Sequence, residues 1–258
     1  MNKPSLILLA AISLLALNTH AQEAPASQVV NVFACKLNEG RTMDNVWSAL
    51  EALAKMNIPS QSPPDPAGSV FLWTPFRSGA PYDYVWGYTN SSLSSMSRDM
   101  LDYVAAPGME AMEERFADTG KCISMVAQSR NVRTGAISNK AGRTPVAVVE
   151  AFGCDYAAGA GPKQLDEVVS LWQRDVEKIA SPALKGYAAW VWTPFRGGTG
   201  ESDWFWIGAY PDITDWAKGS TDYYASKEGA AVDARFNATN KCHANLWVGY
   251  WIEAPTVN

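Results

Sequence analysis

Along the chain, the period of apolar positions changes in an order that occurs twice. Val29 to Lys36 and Val146 to Cys154 are rich in β-branched residues and read as strands. Each is followed by an apolar stripe at helical spacing. The first stripe holds Val46, Leu50 and Leu53; the second holds Leu165, Val168, Val169, Trp172, Val176 and Ile179. Pro59 and Pro182 lie beyond those helices, where a residue that cannot continue a helix is expected. Two strand pairs follow, Val70 to Thr74 with Tyr82 to Tyr88, and Ala188 to Thr193 with Asp203 to Tyr210. They flank turns containing Gly79 or Gly197-Gly198 and read as hairpins with loops longer than two residues. A second, interrupted helical region ends at Phe116 and at Phe236, and the last strands begin at Cys122 and Cys242.

Residue identities repeat along with the pattern. Trp73-Thr74-Pro75-Phe76-Arg77 returns 119 residues later as Trp192-Thr193-Pro194-Phe195-Arg196, and Cys35 returns as Cys154 at the same offset. Asp83 and Trp86 match Asp203 and Trp206, and Thr119-Gly120-Lys121-Cys122 matches Thr239-Asn240-Lys241-Cys242. Matches this numerous, in order and at nearly constant spacing, indicate two copies of one unit. The expected boundaries are 22–132 for the first copy and 146–258 for the second. The segment 133–145, rich in Gly, Ser, Asn and Lys, reads as a linker.

Each copy predicts the order β-α-β-β-α-β, a split βαβ or ferredoxin-like unit of the α+β class. In that topology the first strand lies antiparallel beside the last, so the end of one meets the start of the other. Four cysteines allow three pairings; this topology selects Cys35 with Cys122 and Cys154 with Cys242. A redox or metal-binding set lacks any C-x-x-C spacing, so structural staples are expected. Helices cover one face of such a sheet. The strands are apolar on both faces, so the bare face needs a partner, and the other copy supplies one.

On this element order and repeat, residues 29–132 and 146–252 resemble the dimeric α+β barrel superfamily, in which two ferredoxin-like units pack sheet to sheet. Here one polypeptide supplies both, as an intrachain pseudo-dimer. The resemblance implies a place among cofactor-independent monooxygenases, lactone isomerases, polyketide cyclases, haem enzymes and non-enzymatic units. No single family's catalytic residues map onto this sequence, and none is carried over.

The first residues bear on compartment. Lys3, the apolar stretch Leu6 to Leu17 and the small residue Ala21 have the form of a signal peptide spanning 1–21. A secreted or periplasmic protein is expected, free of the membrane after cleavage, in a compartment that permits disulfides. Without Lys3 the chain has 20 basic and 26 acidic residues and no basic cluster, which argues against a nucleic-acid partner.

Candidate chemistry is narrow. With His20 in the signal, His243 is the one histidine of the mature chain. No G-x-S-x-G elbow, Walker A or G-x-G-x-x-G element occurs. A zinc site is excluded if the cysteines are bridged, so no metal is expected. One axial His could serve a haem, but His243 adjoins a bridged cysteine and reads as structural, so no cofactor is expected.

Aromatic residues two apart share a strand face. Phe71 with Trp73, Tyr84 with Trp86, Trp190 with Trp192, Trp204 with Trp206, and Trp247 either fill the inter-sheet core or line an aromatic cavity. Asn31 and Glu150 occupy corresponding positions, two before Phe33 and Phe152, and Asn245 shares a face with His243 and Trp247. A buried Glu150 would have a raised pKa and could exchange a proton. Arg77 and Arg196 could clamp a carboxylate, or pair with Asp83 and Asp203 across their own hairpins. Ligand-contact candidates are therefore Asn31, Trp73, Arg77, Trp86, Trp192, Trp206, Asn245 and Trp247. Catalytic candidates are Glu150, His243 and Arg196. Three functions fit: a binder of a small apolar or aromatic ligand; a cofactor-independent oxygenase, isomerase or cyclase acting on a ring; or a structural module whose aromatics fill the core.

Overall fold

The computed structural model describes residues 27–56, 65, 67–76, 80–197 and 202–253. The expected signal segment, Pro59, Arg77 and Gly79 lie outside the described residues. For Arg196 only the backbone is described.

The first half runs β1 (Ser27–Leu37), α1 (Met43–Ala54), β2 (Ser69–Pro75), β3 (Tyr84–Asn90), α2 (Leu93–Ala105), α3 (Met109–Thr119) and β4 (Gly120–Arg133). The second runs β5 (Ala147–Tyr156), α4 (Pro162–Val176), α5 (Pro182–Lys185), β6 (Ala188–Gly197), β7 (Trp204–Tyr210), α6 (Ile213–Ala225), α7 (Lys227–Thr239) and β8 (Asn240–Glu253). Side-chain caps start α2, α6 and α7. Ser92 Oγ accepts from Ser95 N–H, Asp212 accepts from Thr214 and Asp215 N–H, and Ser226 accepts from Gly229 N–H, each satisfying donors that a helix leaves free.

The strands close an antiparallel barrel in the order β1-β3-β2-β8-β5-β7-β6-β4. The two four-stranded sheets therefore meet edge to edge, through β2 with β8 and β4 with β6, as well as face to face. Closure leaves no unpaired strand edge, which a simple sheet-on-sheet stack would have left. Helices cover the outside. The first and last strand of each half pair in the register Cys35↔Cys122 and Cys154↔Cys242, and both pairs are disulfide-bonded. The bridges close loops of 87 and 88 residues, about 4–5 kcal/mol each in the chain-entropy estimate.

Alternation divides each strand between two apolar layers. Val30, Val32, Phe71, Trp73, Val85, Ala147, Val149, Trp192, Ile207 and Trp247 fill the barrel interior. Cys35, Leu72, Tyr84 and Trp86 pack beneath α1 in the first half. Cys154, Trp204 and Trp206 pack beneath α4 and α7 in the second. This corrects three expected ligand contacts and one expected catalytic residue. Asn31, Trp86, Glu150 and Trp206 belong to the outer, helix-covered layer and do not face the barrel interior. The physical reason is plain: a strand covered on both sides is apolar on both sides, so its period marks two faces without marking which is inside.

The segment between β4 and β5 is docked. Ala136 N–H donates to Gly186 O, Gly142 N–H donates to Trp251 O, and the Trp251 indole donates to Ser138 O. Ile137 packs on the interior cluster. Arg143 pairs with Glu51 at 2.8 Å and Asp44 at 3.1 Å and lies over the Trp47 ring. It therefore crosses the barrel end where β8 finishes. Among the described residues, no helix is long and apolar enough to cross a membrane.

Candidate functional site

At the other end, where β8 begins, the barrel opens into a cavity of about 150 Å³. Its inner part is aromatic. Trp73 and Trp192 stack across the barrel with centroids 5.6 Å apart and planes 11° apart. Phe71 packs against Trp73 at 4.9 Å, and Trp247, 3% exposed, completes the aromatic wall. Val32, Ala34, Val85, Ala151, Phe205 and Ile207 form the rest of the apolar lining. These positions are interior because each lies an even number of residues from a core residue on its own strand.

Polarity is concentrated on one strand. His243, Asn245 and Trp247 follow one another along the inner face of β8, from exposed, through half-buried, to buried. Gly153 of β5 is the cross-strand partner of His243. A Cβ at Gly153 would lie 2.7 Å from His243 Cε1, 2.8 Å from His243 Nε2 and 2.7 Å from Ser202 Oγ. The missing side chain is what lets the imidazole and the serine hydroxyl converge at the mouth. Ser124, Tyr82 and Ser202 add further polar groups there. Chemically, the arrangement can hold one apolar ring against indoles and present an imidazole and an amide to a substituent on it.

The sequence candidates are thus divided. The structure brings Trp73, Trp192, His243, Asn245 and Trp247 together. Asn31 donates to Tyr88 Oη at 2.9 Å on the outer face. Glu150 accepts from the Trp216 indole at 2.7 Å beneath α6. Burial raises the Glu150 carboxyl above its ordinary range, opposed by that indole N–H, but the group does not reach the cavity. Asp83 and Asp203 accept from the backbone N–H of Leu37 and Tyr156, each at 2.8 Å, tying the β3 and β7 entries to the first strand of each half. Sequence reasoning missed Ala151, Gly153, Ser202 and Tyr82. Gly153 stands where the first copy has Ala34, a signal visible in the repeat.

No group of three or more His, Cys, Asp or Glu able to hold a metal occurs among the described residues. Haem does not fit this cavity either. His243 stands at the mouth of a cavity about half the low end of the range for drug-sized ligands. Beneath the second half's helices, Trp172, Trp204, Trp206 and Tyr187 occupy the space.

No protein-family profile and no curated protein matches the chain. Solved structures share its architecture at low identity. A protein provisionally assigned as a chlorite dismutase superposes with a TM-score of 0.53 at 11% identity, over 89% of this chain and 96% of its own. A protein from Lactobacillus acidophilus NCFM, provisionally assigned as a monooxygenase, gives 0.53 at 9% identity, over 88% and 98%. An anthrone oxidase-like protein gives 0.50 at 13%, over 89% and 94%. The fold is that of the dimeric α+β barrel proteins, with the whole barrel closed by a single chain.

Proposed function

We propose that this protein binds a small, single-ring aromatic ligand in the barrel cavity, with the ring among Trp73, Trp192 and Trp247 and a polar substituent toward His243 and Asn245. The observation that carries the reading is the cavity itself: about 150 Å³, aromatic inside and polar along one strand. A dry apolar cavity of about that volume holds one benzene ring. Calorimetric titration with toluene, phenol and 2-naphthol tests the reading. Saturable one-to-one binding of the one-ring compounds, with naphthol weaker, is expected. Absence of heat with all three counts against it.

A second reading rests on His243 and Asn245 at the mouth. The imidazole takes the hydroxyl proton of a bound phenol, and the phenolate is oxidised by dioxygen, giving quinone and water in equal amounts from one phenol and one O₂. Structural neighbours assigned as a monooxygenase and as anthrone oxidase-like are compatible with it. Oxygen uptake matched one-to-one by quinone, and lost in His243→Ala, is the expected signature. Isomerase or cyclase chemistry would draw on the same two polar groups.

The finer organisation belongs to the same proposal. Two duplicated ferredoxin-like units, 22–132 and 146–258, are joined by 133–145, and 1–21 directs export and is lost in the process. Supporting the duplication are the strand order of each half, last-first-third-second, and one bridge in each. Supporting export are those two bridges, which persist in oxidising compartments. The mass of the protein recovered from the periplasm or medium tests the cleavage after Ala21.

A further inference from the structure

The barrel cavity has two walls of matched backbone and unlike chemistry. In the ring of strands, β4 adjoins β1 on one side and β8 adjoins β5 on the other, with two strands between these pairs in either direction. The pairs therefore face each other across the opening. Their registers correspond. Ile123 and Met125 of β4 pair with Ala34 and Val32 of β1, as His243 and Asn245 of β8 pair with Gly153 and Ala151 of β5. All of these residues line the cavity. At matching depths, one wall presents an imidazole and an amide, the other a branched alkyl chain and a thioether. The polar neighbours of the apolar wall do not alter this: Ser124 stands between Ile123 and Met125, off their two-residue stripe, and Tyr82 packs against the interior cluster.

Met125 is buried, whereas Ile123 is 39% exposed. The apolar lining thus continues out through the mouth on this side only, while His243 continues the polar wall on the other. Among the described residues, no Asp, Glu, Lys or Arg lines the cavity, so the polar wall suits a neutral hydroxyl better than a carboxylate. A ring seated among the indoles fixes how one ligand can use both walls. A hydroxyl turned to His243 and Asn245, and a chain turned to Met125 and Ile123, both leave the ring toward the mouth and on opposite sides. Para substituents leave a benzene ring in opposite directions, so one of them would run into the indoles. Ortho substituents lie side by side and cannot part toward opposing walls. Meta substituents diverge from the same half of the ring.

We propose that the ligands of this cavity are phenols carrying a short alkyl chain meta to the hydroxyl, with Ile123 and Met125 selecting the chain. The inference rests on the ring-binding reading given above and adds the second substituent and its position. Calorimetric titration of the full mature chain with phenol, 3-propylphenol and 4-propylphenol tests it. The meta isomer is expected to bind roughly tenfold tighter than phenol, from partial burial of its chain along one wall. The para isomer carries the same apolar surface and should bind no tighter than phenol, which separates the wall from hydrophobicity alone. In Ile123→Ser, the preference for 3-propylphenol over phenol should fall to about twofold or less. Ile123 is at the surface, and unchanged circular dichroism verifies that the variant folds. Phenol and 3-propylphenol binding equally would overturn the proposal while leaving the ring site standing. A tighter para isomer, or a meta preference that survives Ile123→Ser, would overturn it in the same way. Failure of all three compounds to bind would remove the ring site and this inference together.

Discussion

The outer layers of the two halves are built on corresponding strands, yet they are finished differently. In the second half, the Trp206 indole donates to Tyr187 Oη at 2.9 Å, Trp204 donates to Asn240 at 3.1 Å, and Trp216 donates to Glu150. Tyr187 lies over Gly208, where any Cβ would collide with its ring. In the first half, Trp86 occupies the position of Trp206 and stacks between Phe33 and Phe116, but its Nε1 is buried without a partner among the described residues. Asn31 Oδ1 and Asn90 Oδ1 share that condition. Gly68 stands where the second half has Tyr187. One backbone plan thus supports a layer whose indoles Trp204, Trp206 and Trp216 are paired and one in which Trp86 is not. Hydrogen-bond pairing, more than topology, decides which half is the firmer scaffold.

The largest expected effect addresses what the halves share. Because the two bridged loops are nearly equal, Cys35→Ser with Cys122→Ser and Cys154→Ser with Cys242→Ser should each cost about 4 kcal/mol in urea denaturation. A difference between them of more than about half that value would show that local packing, not loop closure, sets the contribution.

Next comes the tryptophan pair. Trp86→Phe and Trp206→Phe remove the same buried ring atoms, but Trp206→Phe also leaves the buried Tyr187 hydroxyl without its donor and should cost about 1–2 kcal/mol more. Equal losses in thermal or denaturant unfolding would erase the contrast between the layers.

Acid should act on the halves in opposite directions. Asp65 is pushed upward by burial, but donors from Ser95, Ser91 and the Ala67 backbone outweigh this and bring it down to about 2. Its stabilising contribution is complete above the ordinary carboxylate value of 3.8 and is lost as pH falls toward about 2. Glu150 is raised, mainly by burial. Its folded form holds the proton more firmly, so stability falls as pH rises from its ordinary value of 4.5 through the raised one. Asp65→Asn should flatten the acid limb below pH about 4, and Glu150→Gln the decline above it. Unfolding free energy measured from acid to neutral pH, with slopes that change in the same sense in both variants, would refute the assignment.

The smallest effect is at the cavity mouth. Gly153→Ala should leave stability within about 1 kcal/mol, because the groups it meets are the ends of two side chains at the surface. It should displace His243 and Ser202 and so weaken phenol binding while sparing toluene. Titration of both ligands checks this.

Much of the architecture was legible in the sequence. The alternation of period two and period 3.6 located the strands and main helices, and strand order plus cysteine position gave both bridges. Which strand face is interior was not legible. Phe33 and Val32 are equally apolar, and only the placement of α1 to α3 on one side tells them apart. That ambiguity carried Glu150 and Asn31 to the wrong layer. His243, Asn245 and Trp247 were found because their spacing of two needed only a common face, whichever it was. Gly153 was overlooked because a residue acting through an absent side chain offers no chemistry to read.

Intermolecular NOEs from a bound one-ring ligand such as phenol to the protein's methyl groups test the location of the site most directly. The expected contacts are to Val32, Ala151 and Ile207, all on the interior face of the barrel. Contacts confined to Leu101 and Val104 on α2, or to the layer beneath the helices, would contradict a binding site inside the barrel.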